Sequence, residues 1–352
     1  PEVVIGRAEG DERYLLDDVR SVLRLPDGRI AILDGGSSRV RVYDASGRHL
    51  LDFGGPGEGP AEFSRPQYLD RVGDTILVYQ NAPPRMSWFD DRGAFIRTAT
   101  LPTPSDGRPL FGFGFGVLEG EAVAVAAVDP SRSPREPGVR REAMALWRLE
   151  LDGSGADSLM HLPSQEIVVH TTGGWNDLPF GKTTWYGASD SRIFVGASDA
   201  YSIRVLDPHG RVQRVIRRAV EPRPVGPEDV DRWAEQIVEA TFDERDRIEP
   251  LARRAREIGT AETMPAFRML VPDGEANLWV EEWDDVGIEQ GAFSVFRPDG
   301  VWLGRVEMPP GLPWTRAINL RTSILRIGAD HVLGVWVGEL GVEQVRLYRL
   351  QK

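Results

Sequence analysis

Apolar and polar residues alternate over short runs along most of the chain, and Asp, Gly, Asn or Pro breaks each run after a few residues. A period of two marks strands with one buried face. One unit recurs: an alternating strand, a tight Asp/Gly turn, then a second strand. It reads "VRVYDASGRHLLDF", "MSWFDDRGAFIRTA", "ALWRLELDGSGADSL", "IRVLDPHGRVQRVI" and "FSVFRPDGVWLGRV". Asp at the start of such a turn bonds its own backbone, and the closing Gly takes the positive φ that a bulged hairpin needs. Two more strands precede each hairpin, as in "VRSVLRLPDGRIAILD" and "PAFRMLVPDGEANLWV".

Four antiparallel strands per repeating unit predict the blades of a β-propeller. A last unit begins at "LRTSILRIGADHVLGVWV" and ends at "QVRLYRL" without a fourth strand, while "EVVIG" (2–6) precedes the first unit without a partner. The expected fold is therefore all-β: a six-bladed propeller of four-stranded blades in one domain spanning 1–352. Residues 2–6 are expected to close the ring as the outer strand of the last blade.

Two stretches depart from the strand pattern. "FGGPGEGPAEFSRP" packs glycines and prolines together. A phosphate-binding loop would need a helix behind it and a Gly-Lys-Ser/Thr signature. The chain has no such signature, and "QYLDRVGDTILVYQ" follows with strand alternation. The stretch is read as the crossover from blade one to blade two, with Phe63 filling the gap between them. Residues 223–259 instead carry helical spacing, with Val230, Trp233, Ile237 and Val238 on one face, then Leu251, Ala252, Ala255 and Ile258. Pro227 suits a first helical turn and Gly259 a stop, so a helical pair between blades four and five is expected.

With these motifs in view, "FGGPGEGPAEFSRPQYL" followed by "ILVYQNAPPRMSWFDDRGAFI" resembles the NHL-type repeat of six-bladed propellers. The run from "LPFGKTTWYGASDSRIFVGASDAYSIRVLDPHGRVQRVIRR" through the insert to "MPAFRMLVPDGEANLWVEEW" resembles an uncharacterised bacterial six-bladed propeller family, often exported. The resemblance implies the fold and no established chemistry, since such propellers include protein binders, RNA binders, lactonases and lyases.

Charge and composition then narrow the functions. The net charge of −12 speaks against nucleic acid as the main partner. No apolar run approaches the length of a membrane span. With no cysteine, disulfides and thiolate chemistry are excluded, and the five histidines show no metal-binding spacing. The chain begins at Pro1 rather than Met, which fits a processed export product or a trimmed chain; on the first reading a location outside the cytoplasm is expected, periplasmic, secreted or surface-anchored.

Function is expected on the propeller face that carries the long connections, 54–65, 129–141, 163–181, 219–265, 281–291 and 309–319; tolerated insertion is the plainer reading of the same loops. Near the start of each inner strand on that face stands one cation: Arg20, Arg65, Arg108, Lys182, Arg268 and Arg321. Converging there, they would hold a carboxylate, sulfate or acidic peptide, whereas pairing with neighbouring acids is the structural alternative. Trp175 and Trp314 lie in crossovers, where an aromatic side chain either stacks on a sugar or peptide or wedges between blades. Gluconolactonase-like six-bladed enzymes hold a divalent ion in the channel with Glu, Asn and Asp from separate blades; Asp17, Asp18, Asn176 and Asp177 are the nearest candidates here, none in a recognisable version of that motif. No cofactor and no GxSxG nucleophile elbow is indicated. The leading reading is a non-enzymatic binding or scaffolding propeller for a protein, peptide or carbohydrate. Its rivals are a channel-centred hydrolase or lyase and a structural subunit of a homo-oligomer or fibre.

Overall fold

The computed structural model describes residues 1–81, 84–101, 112–129, 131–132, 135–189, 191–241, 248–282, 292–309, 325–337 and 342–350. After β1 (Val3–Ile5), sheet I comprises β2 (Val19–Arg24), β3 (Ile30–Asp34), β4 (Arg39–Tyr43) and β5 (His49–Gly54). Sheet II follows with β6 (Pro66–Val72), β7 (Thr75–Asn81), β8 (Pro84–Phe89) and β9 (Phe95–Thr100). Sheet III has β10 (Gly112–Leu118), β11 (Ala122–Val128), β12 (Gly138–Glu150), β13 (Ala156–Val169) and β14 (Trp175–Asp177). Sheet IV holds β15 (Thr184–Ser189), β16 (Arg192–Ala197), β17 (Ser202–Leu206) and β18 (Val212–Arg217). Helices α1 (Pro227–Thr241) and α2 (Ile248–Ile258) intervene before sheet V, β19 (Met269–Pro272), β20 (Leu278–Glu281), β21 (Ala292–Phe296) and β22 (Trp302–Glu307). Sheet VI contains β23 (Leu325–Ile327), β24 (His331–Val337) and β25 (Glu343–Arg349), and β1 adds to β25 with Val3 opposite Leu347 and Ile5 opposite Val345.

The hairpins form for the local reason read from the sequence. Asp44 Oδ1 accepts the Ser46 and Arg48 N–H groups, Asp90 those of Arg92 and Ala94, and Asp207 those of His209 and Arg211. Each turn closes on a left-handed glycine, at φ 85° for Gly47, 79° for Gly93 and 82° for Gly210. A register shift follows in each hairpin, between Val42 and Tyr43, Trp88 and Phe89, and Val205 and Leu206.

Consecutive sheets bury their faces against one another. Val40, Phe53, Leu69 and Phe89 share a core between sheets I and II, and Tyr79, Trp88, Val123 and Leu149 one between II and III. Leu146 and Ile193, Phe194 and Leu278, and Phe293 and Trp336 share the next three cores. A further core joins sheet VI to sheet I through Val3, Ile5, Val22, Ile32 and Leu333. Gly54 lies at φ 85° directly under the Phe63 ring, where a Cβ would collide with it. Phe63 is buried against Phe89, with ring centroids 5.7 Å apart, and fills the gap between sheets I and II.

Pro227 opens α1, and Gly259 ends α2 at φ 93° with its N–H on the Ala255 carbonyl. Val230, Ala234, Ala252 and Ala255 pack with Leu178 and Phe180, the residues leading into sheet IV. The side chains of Ile237 and Val238 lie outside the described set.

Sheet III departs from expectation. It has five strands rather than four, and residues 138–141, 163–169 and 175–177 of the expected connections 129–141 and 163–181 are strand rather than loop. The sequence "HTTGGWND" reads as a crossover, yet Gly173 and Gly174, at φ 85° and 80°, turn a tight hairpin that sends Trp175 back along β13. Trp175 is thus on an added edge strand.

Removing residues 1–6 strips Val3 and Ile5 from a core and leaves β25 without its neighbour. It should lower stability by roughly 3–5 kcal/mol, from two buried aliphatic side chains. Urea unfolding measures this; an unchanged midpoint would refute the role of β1. Gly54→Ala, strained at positive φ and blocked by Phe63, should cost about 2 kcal/mol or more in the same assay.

Candidate ligand-binding face

The first strand of each sheet pairs on one side only, so N–H and C=O groups on its other edge need partners from elsewhere. Side chains supply them. The Leu69 N–H donates to Ser21 Oγ (3.1 Å), and the Val19 N–H to Glu343 Oε2 (2.6 Å). The Tyr79 hydroxyl donates to the Gly112 carbonyl (2.7 Å), and the Val117 N–H to Asp70 Oδ2 (3.3 Å). Arg326 on β23 donates from Nη2 to the Leu69 carbonyl on β6 (2.6 Å). Since β2 packs beside both β23 and β6, this bond spans the strand between them. The Arg326 guanidinium lies 4.8 Å from the Tyr68 ring centroid and 4.0 Å from Asp70. Burial opposes its charge, yet Tyr68 and Asp70 outweigh burial and hold Arg326 above its ordinary value.

The described cations named from sequence do stand at strand starts, but most are engaged by the protein itself. Arg20, the second residue of β2, bonds Asp18 through Nε at 2.6 Å. Lys182, two residues before β15, is buried, and its ammonium donates to the Thr263 carbonyl and to Thr263 Oγ1 (3.1 Å). It ties the segment after α2 to sheet IV, and burial lowers its pKa against the pull of Glu166 and Asp199. Arg268, just before β19, lies 3.8 Å from the buried Glu281; burial pulls its pKa down while Glu281 opposes. Arg65 is exposed. Arg108, Arg321 and Trp314 lie outside the described residues.

The acids considered for a channel ion fall in two separate places. Asp17 and Asp18 precede β2, where their carbonyls accept the Gly36 and Gly35 N–H groups and the Asp18 carboxylate serves Arg20. Asn176 Oδ1 meets His170 Nε2 (2.6 Å) and Asp177 Oδ1 accepts from Gln165 Nε2 (2.9 Å), both on the outer edge of sheet III. Among the described residues no group of three or more His, Asp or Glu side chains could hold a metal ion.

One residue at this face was missed. Val19 pairs with Asp34 and Ser21 with Leu33, which leaves Arg20 as the extra residue of a bulge. Pro66 pairs with Gln80 and Tyr68 with Tyr79, so Gln67 has the same place on β6. The sheet II counterpart of Arg20 is therefore Gln67 rather than Arg65. The signal was there in aligning "VRSV" with "PQYL", but a bulge is set by pairing, which a single strand does not display.

On the same side stands a wall. β11 ends at Val128, opposite Met144, while β12 and β13 continue as a ribbon to the Gly138–Val169 pair, and β14 adds to its edge. Val168 of this ribbon packs against the helical pair. Trp175 is 53% exposed on the edge strand. Within the ribbon, burial and then Asp177 push the Glu142 carboxyl above its ordinary value; desolvation raises Asp177, and Gln165 pulls it back in part.

No family model matches the chain, and no curated protein matches it. Among solved structures it is similar to a member of the DUF4221 family from Bacteroides vulgatus, with 12% identity, TM-score 0.52, and coverage of 99% of this chain and 97% of that one. The calcium-binding protein regucalcin from Agrobacterium tumefaciens follows at 12% identity and TM-score 0.45, covering 95% of this chain and 91% of that one. Virginiamycin B lyase from Staphylococcus aureus has 10% identity and TM-score 0.40, with 95% of each chain covered. At such identities the DUF4221 likeness bears on the fold alone, which is of the β-propeller type.

Both ribbon carboxyls have folded pKa values raised above ordinary ones, so their contribution to stability is present at low pH and is lost as pH rises through the raised values. Hydrogen exchange across 163–177 should be slower at about pH 4 than at about pH 8 after correction for intrinsic rates, and Glu142→Gln should flatten the difference. A corrected rate independent of pH in the unaltered protein would contradict this.

Proposed function

We propose that residues 1–352 form a single six-bladed β-propeller of NHL-like kind, closed by β1 and bearing the helical pair as an insert between blades four and five. We propose further that it is a non-enzymatic binding or scaffolding protein that works outside the cytoplasm. Its ligand is a protein, peptide or carbohydrate, taken on the long-loop face. The six inter-sheet cores and the pairing of β1 with β25 support the ring.

The observation that carries the binding reading is the wall beside the strand starts. A ribbon extended past its sheet, an added edge strand and a packed helical pair hold an exposed Trp175 on ordered backbone. Rigid support for a large, half-wet aromatic side chain is how binding surfaces gain contact area at little entropic cost. Anion capture by the rim is the weaker part of the reading, because Arg20, Lys182 and Arg268 already have internal partners.

Peptide and glycan arrays probed with the purified protein test this. A specific array ligand should be bound, and Trp175→Ala should weaken it about tenfold or more with an unchanged melting temperature. Binding indifferent to Trp175→Ala, or none on either array, would overturn the reading.

A further inference from the structure

The outer strand of each sheet has one edge to fill, and this chain fills two of them from within. β1 adds to β25, and β14 adds to β13 although sheet III already has four strands. The outer edges of β5, β9, β18 and β22 stay open among the described strands. β5 carries Asp52, β22 carries Glu307, and the arginine of β9, Arg97, lies over the Trp88 ring. β18 differs from all three. Residues 208–220 hold four arginines and no acid, in a chain of net charge −12. Arg218 is bound by Glu282, whereas Arg211, Arg214 and Arg217 are exposed and their guanidinium groups make no hydrogen bond or ion pair among the described residues.

The strand's geometry sorts these groups. The Arg218 N–H bonds the Tyr201 carbonyl and Arg217 pairs with Ser202, so alternation turns the backbone groups of Arg214 and Ile216 to β17 and those of Val215 and Arg217 outward. Ile216 is buried in the core shared with sheet V, which puts the Arg214 side chain on that side and those of Val215 and Arg217 on the other. A groove of about 410 Å³ opens between β18 and the turn of β21 and β22, lined by Arg192, Val205, Gln213, Arg214, Pro298 and Asp299. Asp299 there is bound by Arg297 and the Val301 N–H, with Arg214 adding to the field that keeps it ionised.

We propose that the open edge of β18 takes an extended acidic peptide of a partner protein as a fifth strand, in the place that β14 holds on sheet III. Backbone bonds to Val215 and Arg217 hold the peptide, and charge selects it. An acid opposite Arg214 faces the groove, where Arg192 is a second donor. An acid three residues along the peptide stands opposite Arg217, and an apolar residue between them meets Val215. The peptide recognised is therefore acid, apolar, apolar, acid. A second copy of β18 would instead set arginine against arginine, which is how charged edges repel their own kind. The edge is separate from the surface around Trp175 and does not rest on the binding reading above.

The test is fluorescence anisotropy of a labelled peptide, Ser-Thr-Glu-Val-Val-Glu-Thr-Ser, titrated with the full chain. It should bind saturably at roughly 50 mM salt and about tenfold more weakly at roughly 300 mM. The same peptide with Lys in place of both Glu should bind at least tenfold more weakly. Arg214→Thr combined with Arg217→Thr should cost about tenfold in affinity with an unchanged melting temperature, since both side chains are exposed. Methylating every second peptide amide should abolish binding in one register and spare it in the other, because one edge of an added strand bonds β18. No binding, equal binding of the lysine peptide, indifference to the arginine pair, or identical behaviour of the two methylated peptides would overturn the proposal. So would a dimer of the unaltered chain that Val215→Pro abolishes, which would assign the edge to a second copy.

Discussion

The pairing of β1 with β25 joins residues from opposite ends of the chain, and the core between sheets VI and I forms around it. Val3 and Ile5 reach that core because β1 lies antiparallel to β25, with Ile5 opposite Val345. The geometry leaves no slack at the exit from β1. Gly6 sits at φ 124° against the Glu343 backbone, where any side chain would collide with the carbonyl. Glu343 in turn turns its carboxylate to the Val19 N–H at the start of β2. One strand of three residues thereby sets where sheet VI ends and where sheet I begins.

A second constraint acts on every sheet. First strands have a free edge, and buried backbone groups do not stay unpaired. Ser21, Asp70, Tyr79, Glu343 and Arg326 meet that demand with side chains. This explains why polar and charged residues occur at the inner edge of an otherwise apolar assembly. It also separates Gln67 from these residues, because they are matched to a backbone group and Gln67 Oε1 has no partner among the described residues. The same economy governs the rim. Arg20, Lys182 and Arg268 hold loops, a helix exit and a buried acid in place, so these three cations are engaged by the protein itself.

What was legible in the sequence was local. Strand alternation, the Asp/Gly turns with their bulges, and the helical spacing that shows as α1 and α2 within 223–259 depend on neighbours within a few residues, as do Pro227 at the start of α1 and Gly259 after α2. The placing of cations near strand starts belongs to the same class, because it follows from counting along a repeat. What only the tertiary structure decided was partnership and direction. Whether Lys182 faces a ligand or Thr263 depends on where the segment after α2 returns, 81 residues later. That "TTGG" turns a hairpin, adding β14 to sheet III, depends on an open edge of β13 being within reach. Gln67 rather than Arg65 takes the inner-edge position because a bulge against β7 shifts the register there. Backbone torsions and turn chemistry are set by adjacent residues, so a sequence displays them. Register, side-chain direction and the partner of a buried polar group arise only when distant strands meet.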